Sequence, residues 1–507
     1  MGLPRLVITG ASGFLGRHLL SVLKEEYEIV GLARRSQSRC GAPYHANISW
    51  HQVDIGNVRA LGEVFDQIID GGPVEVVVHL AAHYDFSGEE HPEYYRTNVD
   101  GLRHVLDQCR RLRPRRFAFS SSVAACAFPP RGAVLNEDSP PDGDHIYART
   151  KALGEAMLAE YADDFPSVIV RFAAMFSDWC EYPPLYMFLR TWLSDAWNAR
   201  VLGGKGQSAI PYLHVADAVC FLRRLMKRHE ELDPGEVLIC SPDGATTHRQ
   251  LYDAATAYMY EQPRRPLHTP RPLILPGILA MNAMGRFMRE KPFEKPWMAG
   301  YVDQQMTIDA SRSRARLDWR PRKRRELIAR LPFLLENRKA DHVEWTRVNR
   351  DAMKMVRPRP CLAIHALLQK HQEEIIQRYT DELRENVPRY QDLGTKDHEW
   401  NHRLILRQLC TAVRINERAD FISYCSDLAA RRLDQGFRPE DLIRALEILN
   451  QLCLDVVRED PEGQELTGYL NAHISMTVRF GIDRVKDTCE RLRDRYPDLV
   501  PEGWEGA

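Results

Sequence analysis

The sequence predicts an α/β fold, a doubly wound parallel sheet with a small lobe, followed by a separate all-α domain. Three observations predict it. Residues 1–240 alternate short β-branched runs with amphipathic stretches. Residues 241–335 turn mixed and proline-rich. From Cys361 to about Tyr496, apolar residues recur at three- and four-residue spacing. The length agrees, since 507 residues exceed what one hydrophobic core usually serves.

RLVITG, EIVGLA, VEVVVHLAA, RRFAFSSS and SVIVRFAA each read as a nearly continuous apolar strand. Strands apolar on both faces belong to parallel sheets covered by helices. FLGRHLLSVLKEE and TNVDGLRHVLDQCRR supply such helices. The first domain is assigned to 1–335, with its lobe mainly in 175–210 and 241–335. Residues 336–360 form a charged stretch ending VRPRPC, in which Pro358 and Pro360 stop any helix, so a linker is expected there. Residues 361–507 make the helical domain. IHALLQKHQEEIIQRYTDEL and PEDLIRALEILNQLCLDVV are amphipathic, Gly436 ends one helix and Pro439 opens the next.

The composition is 44% hydrophobic and 27% charged with a net charge of −1, which gives no electrostatic basis for nucleic-acid binding. The run RPRKRR (320–325) reads as solvated surface. None of the 11 cysteines forms a Cys-x-x-Cys pair, so free thiols in a reducing compartment are expected, with no disulfide framework and no metal site. MGLPRLVITG runs directly into a strand without a signal-peptide pattern, and a cytoplasmic protein is expected. The longest apolar run, PLILPGILAMNAMG (272–285), is flanked by Arg271, Arg286 and Arg289. It reads as a flap over a pocket, or as an interfacial helix making peripheral membrane contact.

TGASGFLG (9–16) sits between the first strand and the first helix. Gly10, Gly13 and Gly16 permit a tight turn and close backbone approach, and Ser12, Phe14 and Leu15 lie between them. Amides exposed at a helix start then bind a pyrophosphate. The second strand ends in Arg34-Arg35, where an acidic residue would accept the ribose hydroxyls of NAD(H). Arginine suits a 2′-phosphate, so NADP(H) is favoured and NAD(H) remains the alternative. Asp54 and Ile55, in VDIGN, are placed for the adenine edge. Leu80, Ala81 and Ala82 close the fourth strand with mostly small residues where the dinucleotide passes. YARTK (147–151) sets a tyrosine and a lysine one helical turn apart.

TGASGFLG, DIGN, HLAA, NVDG (98–101), FSSS (119–122), YARTK and YLHVADAV (212–219) occur in an order that resembles the extended short-chain dehydrogenase/reductase family, over roughly residues 3–335. The resemblance implies a Rossmann-like domain, an NAD(P) cofactor and a Ser-Tyr-Lys set. Ser122, Tyr147 and Lys151 take these places, and Asn98 resembles the position that supports the proton path. Tyr147 would be the acid/base. Lys151 would favour the phenolate and hold the nicotinamide ribose, and Ser122 would hydrogen-bond the reacting oxygen. A homodimer is expected.

Sugar-nucleotide members of that family carry an arginine for the substrate diphosphate before the Val-x-Asp motif. Here GKGQSAIPYLHVAD places Ile210 and Pro211 at that point. AHYDFSGEEHPEYYRTNVDG and WCEYPPLYMFLRTWL (179–193) add aromatics. The pattern resembles the 3-beta-hydroxysteroid dehydrogenase and dihydroflavonol reductase branch, which implies a small hydrophobic substrate. The alternatives are a sugar-nucleotide epimerase/dehydratase, and a non-catalytic NAD(P)-binding redox sensor or scaffold. In the helical domain, ADFISYCSDLAARRLDQGFRPEDLIRALEILNQL (419–452) resembles the globin-like sensory domain of RsbR-type stressosome proteins. Regulation, oligomerisation or a protein partner is the role this implies. His398 and His402 are one turn apart, but no further ligand accompanies them, and neither metal nor haem is expected.

Overall fold

The computed structural model describes all residues except 1, 87, 289–292, 356–358, 391–394 and 496–507. The chain divides into two compact units, Met1–Arg357 and Pro358–Ala507.

The first unit is built on strands β1 (Arg5–Thr9), β2 (Glu28–Ala33), β3 (Ile48–Gln52), β4 (Val76–His79), β5 (Arg116–Ser122), β6 (Ser167–Phe172) and β7 (Glu236–Cys240). Their order is β7-β6-β5-β4-β1-β2-β3, every pair parallel. Strands β4 and β6 are buried along their whole length, as continuous apolar runs require. Strand β3, ISWHQ, lies at the sheet edge with alternating partial exposure, and so leaves no apolar run to read. Helices α1 (Phe14–Leu23), α2 (Val58–Asp70), α3 (Gly101–Leu112), α4 (Ile146–Met157) and α5 (Val215–Lys227) cover the sheet. Leu15, Leu19, Phe221 and Leu222 of α1 and α5 fill one face; Leu61, Phe65, Val105 and Leu106 of α2 and α3 fill the other. The strand order reverses between β1 and β4. In open parallel sheets the ligand crevice lies at that reversal, outside the carboxyl ends of the strands.

The lobe is built from short pairings. Ala174–Phe176 pairs with Tyr212–His214 and Val201–Gly203 with Leu267–Thr269, while Ala209–Ile210 pairs antiparallel with Thr246–Thr247. Helix α6 (Arg271–Met288) contains the apolar run 272–285, with Ile274 and Ile278 turned inward.

The expected linker is a helix for much of its length. Residues His342–Met355 form α7, which buries Trp345 and Met353 in the lobe's core. Asn349 is fully buried; it donates to Trp179 O at 2.8 Å and accepts from Glu181 N at 2.9 Å. Trp345, Asn349 and Met353 recur every four residues, a single stripe. The many charges that suggested a linker lie on the solvent face, as in Arg347 with Glu344 and Asp351. Pro358 falls outside the described residues.

The second unit is helical: α8 (Pro360–Lys370), α9 (Gln372–Asn386), α10 (Thr395–Ile415), α11 (Ala419–Asp434), α12 (Pro439–Glu459) and α13 (Met476–Arg495). They share one apolar core that includes Phe421, Leu449 and Cys453. Gly436 has φ +80° just after α11, and Pro439 opens α12. A π-turn, Asn471–Ser475, leads into α13.

Candidate active site

One cavity of about 1290 Å³ runs from the glycine loop, past Tyr147, into the lobe. Its first end is made of backbone. Gly10 has φ +69°, and a Cβ there would lie 2.6 Å from Ala81 N; a Cβ on Gly16 would lie 2.7 Å from Gly10 O and Ala11 O. The loop is therefore packed too tightly for side chains at either position. Gly13 caps α1 without any side-chain hydrogen bond, and the first turn of α1 holds no acidic residue. Those amides keep their capacity for an anion, and the dipole of α1 favours one. A dinucleotide fits this cradle.

Gly10, Gly13, Phe14, Leu15, Gly16, Leu80 and Ala82 line the cavity. Ala81 lies behind Gly10, and Ser12, Arg34, Arg35, Asp54 and Ile55 stand outside the lining. Arg35 Nε donates to Ser12 Oγ at 3.4 Å and its terminal nitrogen to Ser12 O, which drapes the guanidinium over the loop. Arg34 meets Glu93 at 3.2 Å. The Asp54 carboxylate accepts from Gly56 N at 3.0 Å and pairs with Arg96 at 3.1 Å. Ile55 is buried against Gly101.

At the middle of the cavity, β5 delivers Ser122 and α4 delivers Tyr147 and Lys151. Ser122 Oγ accepts from Ala124 N at 3.1 Å, which fixes it at the strand's end. Removal from water pushes the Tyr147 phenol up to about 12, and its hydrogen bond with Ser122 works against that rise. Lys151 is buried; its Nζ donates to Ser120 O at 2.6 Å and stands 5.7 Å from the Tyr147 ring centre. Burial lowers its ammonium to about 8, opposed by the charge of Glu155. The three residues therefore converge.

Asn98 sits in a π-turn, Arg96–Asp100, and acts one step back. Its Nδ2 donates to His83 O and to Thr150 Oγ1, both at 3.0 Å, and its Oδ1 accepts from His83 N at 2.6 Å. It fastens the loop after β4 to the helix that carries Tyr147.

Sequence reasoning missed the support beneath this set. Glu155 is one further turn along α4, and Arg171 of β6 pairs with it in a buried, two-pronged contact at 3.0 and 2.7 Å. Ser121 donates to the same carboxylate, and Arg171 also donates to Ser139 O at 2.6 Å. The signal was present: Tyr147, Lys151 and Glu155 lie four apart, on one helix face. Tyr84 was also missed as an individual; its ring centre lies 4.4 Å from that of Tyr147.

The far end is aromatic and aliphatic. Phe86, Tyr182, Phe188, Trp192, Ile278 and Trp297 contribute, and Ile210 faces the cavity as its sequence position suggested. Among the described lining residues there is no arginine, and Lys151 is the one lysine. Helix α6 closes part of this end through Leu273, Ile274, Gly277, Ile278 and Met281, the flap expected from its sequence.

In the second unit a polar pocket of about 610 Å³ is lined by Arg378, Arg444 and Arg479 with Glu382, Glu447 and Asp455. His371 is engaged by Asp460 and Glu374, both at 2.9 Å, and His402 by Thr380 at 2.8 Å. The His398 side chain lies outside the described residues. Across the described residues of both units, no helix is long and apolar enough to cross a membrane.

Residues 6–240 match the model of the NAD dependent epimerase/dehydratase family, and residues 373–480 that of the RsbT co-antagonist protein rsbRD N-terminal domain. Among curated proteins, the chain is 28% identical over 172 residues to UDP-glucose 4-epimerase of Dictyostelium discoideum, covering 32% of this chain and 48% of that one. It is 30% identical over 183 residues to Sterol demethylase protein B of Methylococcus capsulatus, covering 35% and 54%. These alignments thus span about half the length of either relative. Among solved structures, dTDP-glucose 4,6-dehydratase of Bacillus anthracis in complex with NAD superposes with a TM-score of 0.52 at 17% identity, covering 68% of this chain and 99% of that one, a likeness of fold. The chain thus carries a match to the NAD dependent epimerase/dehydratase family over residues 6–240 and one to the rsbRD N-terminal domain over residues 373–480.

Proposed function

We propose that this protein is an NAD(P)-dependent oxidoreductase that interconverts an alcohol and a ketone or aldehyde on a hydrophobic substrate. The observation that carries the reading is the cavity's composition. It leads from the glycine loop past Tyr147 into an aromatic lobe whose described lining offers no cation except Lys151. A diphosphate placed there would lose water without gaining a partner, whereas an apolar body would gain by burial.

The nicotinamide cofactor, when bound, supplies or accepts the hydride. Everything else falls to the chain. The α1 amides hold the pyrophosphate. Tyr147 gives its hydroxyl proton to the carbonyl oxygen in reduction, or takes the alcohol proton in oxidation. Ser122 hydrogen-bonds the same oxygen, and the Lys151 ammonium stabilises the phenolate form of Tyr147. The arginines closing β2 support NADP(H) over NAD(H), since no acidic residue ends that strand.

The names of the epimerase and dehydratase relatives favour a second reading, a sugar-nucleotide epimerase or dehydratase. The two differ in cofactor balance. An oxidoreductase consumes NADPH stoichiometrically with substrate, whereas an epimerase returns its cofactor unchanged. Following NADPH absorbance with apolar ketones separates them, and net consumption of NADPH is expected. Turnover of a UDP-sugar with no net loss of cofactor contradicts the proposal. No turnover with either class leaves the sensor or scaffold reading in its place. The helical unit, on this reading, regulates the enzyme or docks a protein partner.

A further inference from the structure

The flap has a second face. Helix α6 is apolar almost all round, and a helix of that kind is ordinarily buried on every side. Here, over residues 271–283, only one stripe is. Ile274 and Ile278 are 8% and 9% exposed and face the cavity, while Leu273, Leu275 and Leu279 are 58%, 43% and 52% exposed. The exposed apolar surface continues past the helix. Leu267, 56% exposed, pairs with Val201 across the short parallel ladder, and its amide bonds Arg200 O at 2.7 Å. Trp197, four residues before Val201, is 74% exposed and lines the cavity, as does Leu273. Trp197 and Leu273, two of the lobe's most exposed apolar side chains, thus also line the cavity.

The charge carried by the helix and the strand before it has one sign. Between Gln262 and Met288 the sequence contains Arg264, Arg265, Arg271 and Arg286, and no aspartate or glutamate. Arg200 adds a further cation beside Leu267. The partners seen for Arg200, Arg264 and Arg271 are neutral. Arg200 donates to Arg265 O at 3.0 and 2.8 Å, Arg264 lies over the Tyr260 ring at 3.4 Å, and Arg271 donates to Val302 O. Unneutralised arginines next to outward leucines and a tryptophan match the two-layer demand of an anionic bilayer surface, with cations at the headgroups and apolar side chains at the acyl boundary. A second copy of this chain would have to present acidic groups against the same patch.

We propose that the outer face of α6, with Leu267 and Trp197, rests on the surface of anionic lipid bilayers, so that the cavity opens directly onto the membrane. Passage of an apolar substrate from the bilayer into the cavity rests on the oxidoreductase reading above; the surface contact does not.

The test is cosedimentation of the full chain with vesicles of phosphatidylcholine alone and of phosphatidylcholine with about one third phosphatidylserine. Binding to the anionic vesicles is expected, with weak or no binding to the neutral ones and loss on raising salt. The double variant Leu275→Asp/Leu279→Asp is expected to lose the binding. Arg264→Gln/Arg265→Gln is expected to weaken it about thirty-fold. None of these four residues lines the cavity, so unchanged NADPH affinity, read by its fluorescence, shows that each variant is folded. Failure of the wild-type chain to bind anionic vesicles overturns the proposal. So does undiminished binding by the leucine variant. If that variant instead turns a dimer into a monomer while wild type ignores vesicles, a second copy covers the face and the proposal is wrong. An inability to reduce apolar ketones bears on the oxidoreductase reading alone and leaves the vesicle result standing.

Discussion

At one end of the cavity the lining is glycine backbone; at the other it is aromatic and aliphatic side chains. The first end works through main-chain amides and a helix dipole, which any sequence can supply once the glycines allow the turn. The second works through shape and apolar area, which depend on each side chain. Tyr147 stands where the two meet. The difference teaches that binding the cofactor and choosing the substrate are separable here, and substitutions should affect one without the other.

The largest expected effect is at the junction. Tyr147→Phe removes the only proton donor proposed for the reacting oxygen and should lower kcat by about 10³-fold or more, with NADPH affinity within a few-fold. Steady-state rates with fluorescence titration of cofactor check both halves. Next is the support beneath it. Arg171→Met strands the buried Glu155 carboxylate and should cost about 3–5 kcal/mol of stability, measured by urea unfolding. Retained stability would contradict a structural role for the pair.

At the cofactor end, Gly10→Ala forces a side chain against Ala81 N at positive φ. Weaker NADPH binding, by about tenfold or more, is expected, along with some loss of stability. At the substrate end, Ile210→Arg puts a cation into the apolar wall and should reduce kcat/KM for an apolar ketone by about tenfold while leaving cofactor affinity alone. Equal loss at both ends in either variant would break the separation.

The smallest effects come from pH. Lys151, lowered to about 8 by burial, is charged below that pH and neutral above it. Tyr147, pushed up to about 12, keeps its proton throughout. Ketone reduction should therefore be level below about pH 8 and decline above it as Lys151 loses its charge, which a pH profile of kcat/KM checks. His79, behind the loop, shares a 3.0 Å hydrogen bond with Thr9 Oγ1, and burial lowers it to about 3. Its folded-state pKa lies below the unfolded value near 6.5, so the unfolded chain gains a proton first on acidification. Stability should fall below about pH 6.5, by up to about 1.4 kcal/mol per pH unit, and His79→Gln should flatten that slope.

What was legible in the sequence follows the same division. The glycine loop and the Tyr147–Lys151 spacing could be read because a turn and a helical face each dictate residue type at fixed offsets. Strand β3 was legible only from the numbering that makes VEVVVHLAA the fourth strand, because an edge strand needs only half its residues apolar. The helix over 342–355 was hidden by its charges, which its buried stripe of Trp345, Asn349 and Met353 outweighs only once Trp179 and Glu181 are there to receive Asn349. The Glu155–Arg171 pair joins residues sixteen apart in sequence but on different elements, and only the sheet brings them together. The two faces of α6 were equally open from the sequence, since nothing in it says which leucines the lobe covers.

The most direct test of the central claim is the ratio of kcat/KM for an apolar cyclic ketone with NADPH to that for UDP- or dTDP-linked sugars, measured on the full chain. A cavity whose described lining holds no arginine predicts a ratio above about 100, because a bound diphosphate would forgo the charged hydrogen bonds it needs. A ratio below one contradicts the account and places the protein with the sugar-nucleotide enzymes it resembles in fold.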